Sequence, residues 1–174
     1  MSSTSIVVRL GVSALASMLI SGCGGSGEKP APAVAADSSH AEPAAAPAVP
    51  AAAGADAYVV CQTCHQANGE GLPNAFPPLA GSDIVNGPAG PHIAIVLKGL
   101  TGPVTVKGQT FNGVMAPWES LGDEQILAAI NYERASWGNH GAPASEADVA
   151  RIREAVKGRT TPWTIADLEK ADLK

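Results

Sequence analysis

The sequence predicts an all-α domain in which short helices and long loops surround a large internal group. Apolar residues recur at helical spacing in several short segments, and Gly/Pro-rich stretches separate those segments. The aromatic residues are few, with two Phe, three Trp and two Tyr in 174 residues. Because Ala and Val supply most of the apolar side chains, the core is thin unless a bulky apolar group fills it.

The length and net charge of the chain limit its number of domains and its possible partners. The chain has 174 residues and a formal net charge of -5, which suits one modest domain with additional segments. No cluster of Lys and Arg is present that could neutralise phosphates, and this argues against nucleic acid as a partner.

Residues 1–22 have the pattern of a signal peptide. The apolar run from Leu10 to Ile20 is too short to span a bilayer as a helix, but it fits the apolar region of a secretory signal. The following ISGC resembles the bacterial lipoprotein cleavage site. That resemblance implies cleavage before Cys23 and a lipid on its sulfur, which would anchor the chain to a membrane. An ordinary secretory signal or an uncleaved anchor are the alternatives.

Residues 23–53 are predicted to form an Ala/Pro-rich tether behind the lipidated Cys23. The segment has hardly any large apolar side chain, so it cannot bury enough surface to offset the entropy lost on ordering. Such a tether reaches about 30 Å as a flexible coil and roughly 90 Å when fully extended. His40 lies in it and is expected to be solvated.

The predicted domain runs from 54 to 157 and begins with a helix over ADAYVVCQTCHQ, which Asn68-Gly69 ends. The loop NGEGLPNAFPPLAGS follows. PHIAIVLKGL is predicted to be a short helix with Lys98 in its last turn and Gly99 as its stop. A small hairpin is expected around Val104 to Phe111.

The second half of the domain carries the clearest helix, LGDEQILAAINYERASWGN, with Gly122 as cap and Gly138 as end. Its apolar side chains Ile126, Ile130 and Trp137 recur at helical spacing. SEADVARIREAV predicts a further helix, because Ser145 and Asp148 are spaced as in a capping box. Residues 158–174 form a polar extension in which TTPW suggests a packed segment.

Chemistry is concentrated in Cys61-Gln62-Thr63-Cys64-His65, a pattern that admits three readings. Zinc needs three or four protein ligands, and the sequence offers neither a second Cys-x-x-Cys nor a His pair. A thiol oxidoreductase usually places the motif at a helix start after a strand, whereas a helix precedes it here. The third reading is covalent attachment of a c-type haem.

The haem reading has a physical basis. Cysteines three residues apart share one face of a helix, so Cys61 and Cys64 can both reach the vinyl groups of one porphyrin. His65 can then turn its imidazole towards the iron. Export of the chain also fits attachment of haem outside the cytoplasm.

Met115 is the candidate sixth ligand of the iron. It is the only methionine left after signal removal and lies in FNGVMAPW, in a loop flanked by Gly and Pro. A lone Met is often a core residue that fills a gap, but a haem that lacks a sulfur ligand favours ligation. His92 and His140 are the competitors, and both are expected to be ordinary surface residues.

These pieces together resemble a class I cytochrome c over about residues 54 to 156, in particular the single-haem bacterial domains attached to periplasmic dehydrogenases, nitrite reductases and terminal oxidases. The resemblance rests on CQTCH, the Pro-rich loop, FNGVMAPW and the long helix that follows. It implies a cytochrome c fold around one covalent haem c. It implies thioethers at Cys61 and Cys64, and His65 and Met115 as axial ligands of the iron.

The resemblance further implies that the carbonyl of Pro77 accepts a hydrogen bond from His65, which would orient the imidazole. Tyr132 and Trp137 resemble the family's aromatic residues at the crossing of the first and last helices. The sequence departs from the family pattern at Ala57, where an aromatic is usual and Tyr58 follows instead. It departs again at Ala116, which separates Met115 from Pro117.

A haem with His and Met ligands has no vacant iron position, so the predicted function is transfer of single electrons, without substrate chemistry. The expected partners are periplasmic or membrane redox proteins, and the expected location is the cell envelope, with the haem domain on the periplasmic or extracytoplasmic side. The alternative is a haem enzyme or sensor in which Met115 is absent from the iron or displaced.

Overall fold

The structure is a computed structural model that describes residues 51–174. Its helices are α1 (Ala51–His65), α2 (Asp83–Asn86), α3 (Ala89–Lys98), α4 (Asp123–Ala135), α5 (Glu146–Val156) and α6 (Ile165–Lys170). Its strands are β1 (Leu100–Val106) and β2 (Gln109–Met115). The predicted signal peptide, Cys23 and His40 lie outside the described residues. Between residues 51 and 174, no helix has the length and apolar character that crossing a membrane requires.

The four predicted helices are present, and their predicted caps explain where most of them begin and end. The α3 helix ends at Gly99, which adopts a φ of 79° that a glycine accommodates without strain. Gly122 is the residue before α4. At the start of α5, the amide of Asp148 donates to the Ser145 hydroxyl at 3.2 Å, and the Ser145 amide donates back to the Asp148 carboxylate at 3.0 Å. The Ser145 hydroxyl also donates to the Asp148 carboxylate at 2.7 Å, and this bond, together with that from the Ser145 amide, holds the pKa of Asp148 below its usual value.

Helices α1 and α4 cross closely, and glycine and three aromatic rings form the contact. A Cβ on Gly54 would lie 2.9 Å from the Cβ of Tyr132, so only glycine fits at the crossing. Tyr58 packs its ring against Tyr132 and Trp137, with centroid distances of 5.4 and 5.0 Å. Tyr58 therefore supplies the aromatic ring that Ala57 lacks, and its hydroxyl donates to the Gln66 carbonyl at 2.7 Å.

The hairpin is longer than the predicted span of Val104 to Phe111. Strands β1 and β2 pair antiparallel from Leu100 opposite Met115 to Val106 opposite Gln109. Lys107 and Gly108 form the two-residue turn, and both have positive φ, as the twist of a tight hairpin requires. The pairing continues beyond the predicted limits because the hairpin packs its buried side chains on the core and thereby brings Met115 against it.

The extension after Val156 packs onto the rest of the described chain. Trp163 is buried, and it exchanges backbone hydrogen bonds with the start of β1 through Gly99 and Thr101 at 3.0 and 2.7 Å. Leu168 and Leu173 are also buried. The guanidinium of Arg159 lies 3.8 Å above the Trp163 ring. The extension therefore braces the base of the hairpin that ends at Met115.

One further boundary and two short helices differ from the sequence-based expectation. The α4 helix ends at Ala135, before Gly138, because Ser136 is already extended and Trp137 has a positive φ. The short helices α2 and α6 were not predicted. Helices of four and six residues are too short for a periodic apolar pattern and are stable only through tertiary contacts.

Candidate functional site

The end of α1 carries three of the predicted site residues. Cys61 and Cys64 are half-buried free thiols one helical turn apart. His65 is the last residue of the helix and is buried, with 8% of its surface exposed. The helix ends there because Gln66 adopts a positive φ of 62°. Both thiols and the imidazole are therefore held together at one helix end.

The loop after α1 orients the imidazole of His65. Its Nδ1 lies 2.9 Å from the carbonyl oxygen of Pro77. Since a carbonyl only accepts, Nδ1 carries the proton, and Nε2 is the nitrogen left to bind a metal. Gly71 makes the approach possible, because a Cβ there would lie 2.7 Å from the same oxygen of Pro77.

Met115 comes to the site from a different element, at the end of β2. Its register partner is Leu100, the first residue of β1. The backbone here is tightly packed, since a Cβ on Gly99 would lie 2.4 Å from the carbonyl of Met115. The side chain of Met115 is half-buried and packs against the hydrophobic core.

His65 and Met115 line the same space. A cavity with about 860 Å³ of empty volume, part of it open to solvent, is bordered by Cys61, Cys64, His65 and Met115. A second cavity of about 570 Å³ adjoins it and shares Cys61, His65 and Met115. The remaining walls are mainly apolar, as a porphyrin requires, and include Val60, Phe76, Leu100, Val104, Phe111 and Trp118.

The protonation of Cys61 bears on the alternative readings of the motif. Burial, followed by the charge of Glu133, raises the pKa of the Cys61 thiol to about 12. A thiol oxidoreductase needs the thiolate and therefore a lowered pKa, so this environment opposes that chemistry. Within residues 51–174, no cluster of three or more His, Cys, Asp and Glu side chains is arranged to hold a metal ion.

His92 is not a surface residue, and the expectation that it would be was wrong. It is buried on α3, and its Nε2 lies 2.8 Å from Oε2 of the equally buried Glu133 on α4. The five residues after His92 are all buried, so α3 is covered on every side and takes His92 with it. His140, in contrast, is exposed as expected.

Sequence reasoning also missed two residues that organise the walls of the site. Glu133 falls on the helical stripe of Ile126, Ile130 and Trp137, which was a readable sign that a charge would be buried. The amide of Asn139 donates to the carbonyls of Glu133 and Leu79, at 2.8 and 3.1 Å, and its oxygen accepts from the amide of Gly81 at 2.7 Å. Asn139 thereby ties the loop that carries Pro77 to α4, and no sequence pattern marked it.

The mouth of the larger cavity is apolar. Val60 and Val114 line the cavity and are 38% and 72% exposed, and Leu72 and Val59 are exposed large apolar residues as well. No charged side chain lines this cavity among the described residues. An exposed apolar rim around a cavity is typical of a docking surface.

Comparison with known proteins identifies relatives of the whole domain. Residues 51–137 match the family model described as cytochrome c. The chain is 38% identical over 130 residues to cytochrome c-552 of Thermus thermophilus, an alignment that covers 70% of this chain and 98% of that protein. It is also 34% identical over 116 residues to the cytochrome c subunit of a quinone alcohol dehydrogenase from Gluconacetobacter polyoxogenes, covering 58% of this chain and 22% of the subunit.

Proposed function

Since this chain belongs to the cytochrome c family, we propose that it is a membrane-tethered carrier that passes single electrons between redox proteins of the cell envelope. The predicted cytochrome c fold and the covalent haem c are confirmed by the family match. Electron transfer follows from the family, and the tether and the partners are our proposal. The observation that carries it is that His65 and Met115, from α1 and β2, line one apolar cavity.

Each site residue has a defined role in this proposal. Cys61 and Cys64 would form the two thioethers, and His65 and Met115 would bind the iron through Nε2 and sulfur. Pro77 holds Nδ1 of His65, which fixes the ring and increases the basicity of its other nitrogen. The bound haem supplies a one-electron couple, and the thioether of Met115 raises its potential. The apolar walls exclude water from the iron.

In this proposal electrons would pass through the apolar mouth that Val60 and Val114 border. An uncharged rim favours small, short-lived contacts with partners and gives little electrostatic steering. The relatives include cytochrome c subunits of quinone alcohol dehydrogenases, which supports a dehydrogenase as electron donor. A nitrite reductase or a terminal oxidase is the corresponding acceptor in this proposal.

Val114→Lys tests the mouth as the route of transfer. We expect electron exchange between oxidised and reduced copies of the protein to slow several-fold at low salt, because each mouth then carries a charge that repels the other copy and resists desolvation. The exchange rate can be measured from NMR line widths in mixtures of the two redox states. The midpoint potential should rise only slightly, because position 114 is 72% exposed and solvent screens the added charge.

Ala150→Lys is the matched control, because Ala150 is an exposed position on α5 away from the cavity. It adds the same charge and should leave the exchange rate within twofold of the wild-type rate. Equal rates for all three proteins would contradict transfer through this rim.

The membrane tether is proposed from the sequence around Cys23. The ISGC motif supports cleavage before Cys23 and acylation of its sulfur, which would hold the haem domain on the periplasmic or extracytoplasmic side.

Cys23→Ala tests this anchor. It should move the haem-containing protein from the membrane fraction to the soluble fraction or leave it unprocessed, and its intact mass should lack the acyl chains. Ser26→Ala, three residues further on, is the control and should behave as wild type. A wild-type protein whose intact mass shows no acyl chains on Cys23 would refute the anchor.

A further inference from the structure

The buried pair of His92 and Glu133 has no role in holding the haem, yet it lies in the wall of its cavity. Both side chains line the smaller cavity together with Cys61, His65 and Met115. Their exposed fractions are 5% and 4%, and their hydrogen bond joins Nε2 and Oε2 at 2.8 Å. A titratable pair inside an apolar core is costly, so its presence calls for a physical explanation.

One nitrogen of this pair is free. Nδ1 of His92 is buried and has no hydrogen-bond partner among residues 51–174. The bond between Nε2 and Oε2 holds one proton, and Nδ1 is the remaining position at which the pair can bind another. With one proton the pair has a net charge of −1, and with two it is neutral.

We propose that His92 and Glu133 form a proton-binding site coupled to the haem, in which Nδ1 of His92 takes up a proton from water when an electron enters the cavity. The electron comes from the redox partner and resides on the haem iron. The proton adds one N–H bond at Nδ1, so the pair and the haem together keep the same net charge. Oxidation reverses both steps, and electron transfer therefore moves a proton in and out of the domain.

The coupling follows from burial. Charges in the low-dielectric wall of a cavity are weakly screened, so an added electron raises the proton affinity of a neighbouring base. By reciprocity, a proton bound at Nδ1 makes reduction easier by the same free energy. Thioether formation also removes the thiol hydrogen of Cys61, which leaves His92 as the main partner of the Glu133 carboxylate.

The other titratable groups around the pair do not take this role. Tyr58 on α1 stays neutral, because burial and the charge of Glu133 raise its pKa. Arg134, next to Glu133 on α4, donates to the carbonyls of Val85, Gly87 and Ala142 and stays charged.

The acidic groups of the neighbouring helices are also occupied or exposed. Asp83 on α2 is exposed, and the carboxylate of Asp148 on α5 is engaged in its helix cap. His65 is the remaining titratable group of this wall, and its Nδ1 is bonded to Pro77.

The test is the pH dependence of the midpoint potential in the haem-loaded protein, measured by equilibrium titration with mediators. In the wild type we expect the potential to fall as pH rises, by up to about 59 mV per pH unit, the equivalent of a tenfold change in proton concentration for one electron. The titration covers about pH 5 to pH 8, the range in which histidine is the side chain that ordinarily changes its charge.

Glu133→Gln keeps a hydrogen-bonding group opposite Nε2 but removes the negative charge of the pair, so we expect the slope to be lost. Glu70→Gln removes the same charge from an exposed loop position and should retain the wild-type slope. A wild-type potential that does not change with pH would overturn the proposal. So would a slope that Glu133→Gln leaves unchanged, since another group would then be titrating.

A second measurement needs no variant, so it tests the proton coupling even if Glu133→Gln does not fold. The reduced-minus-oxidised infrared difference spectrum of protein labelled with ¹⁵N-histidine should show bands of a protonated imidazole gained on reduction. Their absence would overturn the proposal. Both measurements depend on the bound haem and not on any partner. If the domain proves not to carry electrons between proteins, only the Proposed function fails, while the proton coupling stands or falls by these data.

Discussion

Met115→Ala is expected to lower the midpoint potential by on the order of 0.1 V or more, a part of the roughly 0.8 V over which axial ligands set haem potentials. The thioether sulfur stabilises the reduced iron, and alanine offers no ligand in its place. The same change opens a coordination position, so the reduced variant should bind carbon monoxide, whereas the wild type should not. Potentiometric titration and the absorption spectrum under carbon monoxide measure the two effects.

Val114→Ala is the matched control for this experiment. It truncates the neighbouring residue on β2, whose side chain is 72% exposed, so it should change neither the potential nor the response to carbon monoxide. If Met115→Ala behaves as Val114→Ala does, Met115 is not an iron ligand. If the wild type itself binds carbon monoxide readily, the haem has an open position, and a haem enzyme or sensor replaces the carrier as the better explanation.

The helices and most of their limits could be predicted because local chemistry determines them. Gly99 stops α3 with a positive φ, and Ser145 and Asp148 cap α5, and both features are visible in the sequence. The cluster of Cys61, Cys64 and His65 was predictable for the same reason, since it lies within one turn of one helix. Met115 was singled out by elimination, as the only methionine after the predicted signal.

Burial of polar side chains was harder to predict, because it depends on which helices meet. His92 is polar and opens a segment that begins with Pro, features that are equally common on surfaces. Its burial results from the packing of α3 against α4 and α5, which the periodicity of α3 alone does not reveal. Glu133 could have been recognised, because it falls on the apolar stripe of α4. Its partner His92, on α3, could not be recognised in this way.

The packing of the chain after Val156 was also hard to predict from the sequence. Thr164 and Asp167 form a readable capping box at the start of α6, but six residues give no periodic pattern to confirm a helix. That Trp163 pairs with the base of β1 is a contact over more than sixty residues of sequence. Only the folded structure reveals that this extension supports the hairpin that carries Met115.

Gly71→Ala is expected to destabilise the protein by about 3 kcal/mol or more, as the sum of left-handed strain of about 1–2 kcal/mol and overpacking of about 1–3 kcal/mol. Gly71 has a φ of 64°, and a Cβ there would lie 2.3 Å from the carbonyl oxygen of Phe76 and 2.7 Å from that of Pro77. Both contacts are with backbone, which cannot move aside without shifting the loop. Denaturant unfolding of the haem-loaded protein measures the loss.

Gly108→Ala separates the two contributions. Gly108 also has a positive φ, of 77°, but a Cβ there would meet nothing within 4 Å, so this variant should lose only the strain of about 1–2 kcal/mol. The difference between the two variants is then the cost of the clash. Equal losses would mean that the loop absorbs the added methyl group without resistance.

The clash also has a consequence at the haem, because the Pro77 oxygen that Gly71 abuts is the acceptor for Nδ1 of His65 at 2.9 Å. Displacing that oxygen weakens the bond, lowers the basicity of the imidazole and loosens its orientation. The midpoint potential of Gly71→Ala should therefore shift, while that of Gly108→Ala should equal the wild-type value. A destabilised Gly71→Ala with an unchanged potential would mean that the loop can yield without moving Pro77, and that another contact holds His65 in place.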